Sequence, residues 1–169
     1  MSKQFCMEQQ RYQFEYSVYD SIDELSQEDA ALLREAQQAT HTAYAPYSQF
    51  QVGAAAKLVN GKVLCGSNQE NASYPVGLCA ERVLLSAASS VYPNVPIETI
   101  AISYDSGQGN SDRPISPCGI CRQTLVEYEK HLGQPIRLVL GGIKGKVFVI
   151  PGSTLLLPFG FSSEDMEKG

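Results

Sequence analysis

A chain of 169 residues is long enough to close one hydrophobic core, and 43% apolar with 18% charged residues excludes a disordered or fibrous protein. Thirteen basic against eighteen acidic residues leave a net charge of −5 with no run of Lys and Arg, which argues against a polynucleotide partner. No apolar stretch approaches the roughly 18–20 residues of a membrane span, and Met1 to Arg11 lacks the apolar core of a signal peptide, so a cytoplasmic protein is expected.

Residues 1–25 read as an N-terminal extension. There Tyr12, Phe14, Tyr16 and Val18 alternate with polar neighbours in the period-two pattern of a half-buried edge strand. Residues 26–169 read as the single main domain. Ser26 with Asp29 three positions on resembles a capping box, and Ala30, Leu33, Ala36, Gln37 and Thr40 follow at helical spacing until Pro46. Gln51 to Val59 is strand-like, Asn60-Gly61 predicts a type I′ turn, and Lys62 to Gly66 returns as the second arm of a hairpin.

A loop through Pro75 and Gly77 leads into a helix over Cys79 to Ser90, then a short strand over Ile97 to Tyr104. Asp105 to Pro117 is rich in turn formers and delivers a helix from about Cys118 to His131, ended by Gly133. Strands at Pro135 to Leu140 and Lys146 to Ile150 follow. Strands separated by helices of this length predict an α/β fold. We expect a three-layer helix-sheet-helix sandwich with a mixed sheet of about five strands, plus the extra N-terminal one.

Five cysteines in a chain expected to stay in a reducing compartment are odd in number for a disulfide framework. Cys79, Cys118 and Cys121 fall at two predicted helix starts, and in open α/β sheets such junctions gather at one edge of the sheet. The helix dipole favours thiolates there, and soft thiolates select zinc. Three protein ligands leave a fourth tetrahedral position for water, the mark of a catalytic zinc site. Glu81, two residues after Cys79, is placed to reach that water without ligating the metal, as a general acid and base. Cys79-Ala80-Glu81 followed by Pro117-Cys118-Gly119-Ile120-Cys121 is written in the pattern of the zinc deaminases.

The chain resembles the small, homotetrameric, three-cysteine cytidine deaminases. Besides the two zinc motifs with Arg82, Arg122 and Gln123, the likeness runs through Tyr44-Ala45-Pro46-Tyr47-Ser48-Gln49-Phe50-Gln51-Val52-Gly53-Ala54-Ala55. It continues in Gly66-Ser67-Asn68-Gln69-Glu70-Asn71-Ala72-Ser73-Tyr74-Pro75 and Leu156-Leu157-Pro158. The resemblance implies a cytidine deaminase-like fold and one Zn²⁺ per chain. It further implies hydrolytic deamination of cytidine and 2′-deoxycytidine in pyrimidine salvage, by a homotetramer whose active sites are shared between subunits. It gives Asn68 and Glu70 the ribose hydroxyls, Phe50 a place against the pyrimidine, the backbone at Ala80 and the carboxylate of Glu81 the pyrimidine edge, and Arg82 a contact with the metal thiolates. Tyr74 and Phe161 match aromatics presented to a neighbouring subunit. The implied mechanism is attack of an activated water at C4 while Glu81 carries one proton to N3 and a second to the departing ammonia.

Other readings of the same residues predict differently. Cys118 and Cys121 alone fit a redox pair or half a structural zinc site, and Cys65 as a fourth thiolate would close the site and leave Glu81 dispensable. A related three-cysteine deaminase acting on another aminated heterocycle or a cytosine-bearing antibiotic shares every motif. Cys6 reads as an incidental exposed thiol, Cys65 as a small core residue, and His41 and His131 as structural residues near helix ends.

Overall fold

The computed structural model describes residues 7–107 and 109–166. Six strands form one sheet: β1 (Ser17–Tyr19), β2 (Gln51–Leu58), β3 (Val63–Ser67), β4 (Ile97–Asp105), β5 (Arg137–Gly141) and β6 (Val147–Ile150), in the order β1-β6-β5-β4-β2-β3. Three helices cover it: α1 (Gln27–Ala39), α2 (Ala80–Val91) and α3 (Gly119–Leu132). β4 and β5 run parallel because α3 crosses over between them, and the other neighbouring strands are antiparallel. The sheet is therefore mixed, as expected, with the extra strand as its sixth member.

Alternation along the strands sorts side chains to the two faces. Ala55, Ala101, Val139, Val147 and Val149 pack against Leu32, Leu33 and Ala36 of α1. Ala54, Ala56, Ile100, Ile102, Leu138 and Leu140 pack on the other side against Leu84, Leu85 and Ala88 of α2 and Leu125 of α3. Fully burying each large aliphatic of these clusters contributes about 1.5–3 kcal/mol.

Small residues let the helices lie close. A Cβ at Gly53 would stand 2.1 Å from the carbonyl oxygen of Ala36, so α1 rests on the backbone of β2. A Cβ at Gly66 would stand 2.7 Å from the amide of Leu84 and 2.9 Å from the carbonyl of Ala80, so the first turns of α2 rest on β3 in the same way.

Ser26 caps α1 by accepting from the Asp29 amide at 3.1 Å, half of the predicted capping box. The Asp29 carboxylate does not reach back. It takes the forked guanidinium of Arg137 at 2.5 and 2.7 Å, tying the start of α1 to β5, and that guanidinium holds the carboxyl below its ordinary pKa. A lowered folded-state pKa contributes stability above the unfolded value that is lost as pH falls through the folded one. Asp29→Asn is thus expected to cost about 1 kcal/mol near neutral pH. In urea titrations the gap between variant and wild type should narrow progressively as pH falls below about 4; a gap that does not narrow with falling pH would rule out the ion pair as its cause.

Two local expectations are corrected. Only Gly61 in the β2–β3 turn is left-handed, at φ 78°, so the connection is not type I′. The Gly61 amide donates to Leu58 O at 2.9 Å and the Leu58 amide to Lys62 O at 2.9 Å, a type I turn closed by a glycine bulge over three residues. Asn60 stays right-handed because its side chain accepts from the Lys62 amide at 3.1 Å.

The N-terminal strand is also shorter than its alternating pattern. Ser17–Tyr19 pairs with Val147–Val149, and β6 ends one residue later before Pro151, which has no amide to continue the ladder. Residues 12–16 are held by side chains instead. The Tyr12 hydroxyl donates to Leu155 O at 2.9 Å, Phe14 packs on the main core, and the rings of Tyr16 and Phe148 lie 5.1 Å apart.

Candidate active site

Cys79 is the residue before α2, Cys118 the residue before α3, and Cys121 stands in the first turn of α3. Neither Cys79 nor Cys118 caps its helix with its side chain. The thiols turn toward each other instead: Cys79 Sγ is 3.7 Å from Cys118 Sγ, Cys118 Sγ is 3.5 Å from Cys121 Sγ, and all three lie within 4.8 Å. Four-coordinate zinc with Zn–S bonds of about 2.3 Å spaces its sulfurs by about 3.8 Å, so this donor set fits a thiophilic divalent cation. Cys79 is drawn below the ordinary thiol pKa, to about 6, first by the Cys121 S–H; Cys118 and the Arg82 charge add to this, against burial and Glu81. Cys121 is pushed upward because its proton is the one shared with Cys79. Protons held among the sulfurs are the ones a cation displaces.

Glu81, in the first turn of α2, is 5% exposed and stands outside this set of three donors. Burial lifts its pKa above the ordinary carboxylate range. The thiol cluster and Glu81 meet at a cavity of about 610 Å³ at the carboxyl end of β4, with Cys79, Ala80, Glu81 and Cys118 in its lining. Phe50 and Val52 line it from the start of β2, and Ile115 and Ser116 from the loop before α3.

Asn68 and Glu70 both line this cavity from the segment after β3. Glu70 accepts from the amides of Tyr47 at 2.8 Å and Ser48 at 3.3 Å and from the Ser48 hydroxyl, which leads in holding its pKa below the usual value. Asn68 accepts from the Val52 amide at 2.7 Å and donates to Phe50 O at 2.9 Å. Asn68 thus anchors the start of β2 and Glu70 the turn before it, and both keep hydrogen-bonding capacity for a ligand. A second cleft, of about 800 Å³ at the other end of the sheet, is lined by Lys57 and Arg137, both paired with carboxylates.

The structure thus brings Cys79, Cys118, Glu81, Phe50, Asn68, Glu70, Ala80 and Tyr74 to one cavity, with Cys121 completing the thiol cluster. Tyr74 is 75% exposed and lines this chain's own cavity, its ring 6.0 Å from that of Tyr47. Phe161 lies outside the cavity, 57% exposed, with its carbonyl accepting from Gln123, and Phe159 is fully exposed. Arg82 is half-buried and acts on Cys79 through its charge.

The expectation for Cys65 is corrected: it is exposed rather than a core residue. It pairs with Ala55, whose side chain faces α1, so it points to the face opposite α2 and cannot become a fourth ligand. Cys6 lies outside the described residues. His41 and His131 are both exposed, at a 3₁₀ turn and in the last turn of α3.

Sequence reasoning assigned no role to Ser48, Arg122 or Glu129. The Arg122 guanidinium donates to Pro117 O at 2.9 Å and Leu156 O at 3.0 Å, fixing the residue before Cys118. The buried Glu129 carboxylate accepts from the amides of Ile136 and Ser153, each at 2.8 Å, and the Ser153 hydroxyl at 2.7 Å. Ser48 and Arg122 carry a signal in lying inside the resembling motifs; Glu129 carries none.

Residues 26–132 match the family model for the cytidine and deoxycytidylate deaminase zinc-binding region. The cytidine deaminase of Halalkalibacterium halodurans is 41% identical over 135 residues, covering 80% of this chain and 95% of that one. The crystal structure of cytidine deaminase from Burkholderia pseudomallei superposes with a TM-score of 0.68 at 39% identity, over 81% of this chain and all of the other. That of Mycobacterium tuberculosis gives a TM-score of 0.60 at 34% identity, over 78% and 94%. Sequence likeness across most of the chain and a shared fold agree with the clustered thiols: the chain belongs to the family of zinc-binding cytidine and deoxycytidylate deaminases.

Proposed function

We propose that the protein hydrolyses cytidine and 2′-deoxycytidine to uridine and 2′-deoxyuridine, releasing one ammonia for each water consumed. The observation that carries this is a buried carboxyl, Glu81, beside three clustered thiols in the lining of a cavity. Zinc held by Cys79, Cys118 and Cys121 supplies a Lewis acid that acidifies water and stabilises developing negative charge. Glu81 accepts the proton of the attacking water, gives it to N3 as C4 becomes tetrahedral, and carries the second proton to the departing amino group. Its burial raises the pKa of Glu81 above the ordinary carboxylate range, which makes the carboxylate a better base for the water's proton.

The remaining residues bind and orient. The ring of Phe50 covers the pyrimidine, the backbone at Ala80 meets its edge, and Asn68 and Glu70 take ribose hydroxyls with the capacity left over from their backbone contacts. Three thiolates around a divalent cation sum to −1, and the Arg82 guanidinium offsets that charge.

One zinc per chain, a cytoplasmic location and a role in pyrimidine salvage complete the reading. Residues 26–169 form the catalytic domain and residues 1–25 its extension. We also assign a homotetramer with shared active sites; exposed Tyr47, Tyr74 and Val76 near the mouth, with Phe159 and Phe161, offer apolar surface for neighbouring subunits. The test is loss of cytidine absorbance with ammonia release by the zinc-loaded protein. Equimolar ammonia and uridine are expected. No turnover of either nucleoside would overturn the proposal, and turnover of another aminated ring alone would reassign the substrate.

A further inference from the structure

Phe50 lies one residue before β2, beyond the support of the strand ladder, yet its place in the cavity wall demands a fixed ring. Gln49, in the left-handed region at φ 54°, turns the chain into it. The Phe50 amide donates to the Ser48 hydroxyl at 3.0 Å and its carbonyl accepts from Asn68 at 2.9 Å. Those contacts hold the backbone and leave the side-chain torsions free. The ring is held by another aromatic: Tyr104 stacks on it with centroids 5.0 Å apart and planes inclined by 22°.

Tyr104 is well suited to be the fixed member of this pair. It is 3% exposed on the central strand β4, directly opposite Val52, and so shares a sheet face with the Phe50 side of β2. Its hydroxyl donates to Asn110 O at 3.4 Å, a long contact toward the loop that continues to Ile115 and Ser116 in the cavity wall. Tyr104 itself does not line the cavity.

We propose that Tyr104 is a positioning residue for nucleoside recognition, stacking behind Phe50 so that the wall presented to the pyrimidine is preorganised. This rests on the reading of the cavity as a cytidine site. The pair forms a double aromatic layer in which only the outer ring meets ligand. Without the inner ring, Phe50 gains rotamers that substrate binding must then freeze, and the loss falls on ground state and transition state alike. It therefore appears in KM and spares kcat.

The test compares zinc-loaded Tyr104→Leu and Tyr104→Phe, each alone and combined with Phe50→Leu, by steady-state kinetics on cytidine. Tyr104→Leu is expected to raise KM about threefold to tenfold with kcat within about twofold, and Tyr104→Phe, which keeps the stack, to stay near wild type. In the Phe50→Leu background Tyr104→Leu should add little, because there is no ring left to position. Should Tyr104→Leu fail to fold, Tyr104→Met fills more of the volume without a ring and replaces it in the same cycle. An unchanged KM in the folded variant, an undiminished effect in the Phe50→Leu background, or equal damage from Tyr104→Phe would each overturn the proposal. Wild type inactive on cytidine would instead overturn the substrate reading itself.

Discussion

Glu81→Gln is expected to lower kcat on cytidine by about 10²–10⁴-fold while zinc content stays at the wild-type level. The amide matches the carboxylate in shape and fits a site that is 5% exposed, so packing is preserved. What it lacks is a basic oxygen that can take a proton at one step and return it at the next. Because burial already disfavours the ionised carboxylate, the substitution should leave the melting temperature equal or higher. Metal analysis, a thermal melt and kcat on one preparation decide the matter. Activity within tenfold of wild type, with zinc retained, would remove Glu81 from the proton path.

The second large effect concerns the metal. Cys121→Ser is expected to abolish zinc retention and turnover together, since this thiol is wholly buried within the cluster and, among the described residues, no cysteine outside the three stands near enough to replace it. Cys65→Ser should match wild type in both, because its side chain lies across the sheet. Stripping zinc from the wild type removes a ligand bound only by the folded state, worth about 3–4 kcal/mol at 100 to 1,000 times Kd. For a chain of this size that corresponds to a melting temperature lower by about 6–16 °C, recovered on adding zinc back. A chelated sample that melts with the untreated protein, or a Cys65→Ser variant that sheds metal, would overturn this assignment of the ligands.

The chemistry was legible because it is written in short motifs at helix starts. Pro117 and the loop formers before Cys118 mark one junction, and the loop through Pro75 and Gly77 marks the other. Once a sheet of mixed direction is inferred, both junctions fall at the same edge, where the thiols are found. Asn68 and Glu70, paired by the family resemblance, likewise both line the cavity.

What escaped sequence reading depends on partners far along the chain. The pairing of Asp29 with Arg137 spans 108 positions and that of Glu129 with Ser153 spans 24, and neither leaves a periodic trace. Tyr104 reads as one more apolar strand residue until its ring is seen against Phe50. The alternation from Tyr12 to Val18 promised one buried side, but of those four only Phe14 is partly buried while Tyr12, Tyr16 and Val18 stay exposed, and strand length is set by β6, which ends at Ile150. Cys65 was misplaced for a related reason: whether an edge-strand position is covered depends on how far α1 reaches, not on its own neighbours.

The contact of α2 with β3 at Gly66 has an evolutionary corollary. Any larger residue at that position would lift the first turn of the helix and move Cys79, Ala80 and Glu81 as a block, so selection on this one backbone position guards the reacting end of the pocket. Asn68, two residues further along, ties the same stretch of chain to Phe50 and Val52, close to Ala54, the residue paired with Gly66. The two ends of the pocket therefore share one support, so that mutation in this stretch of β2 and β3 cannot retune nucleoside binding without also disturbing the hydrolytic machinery.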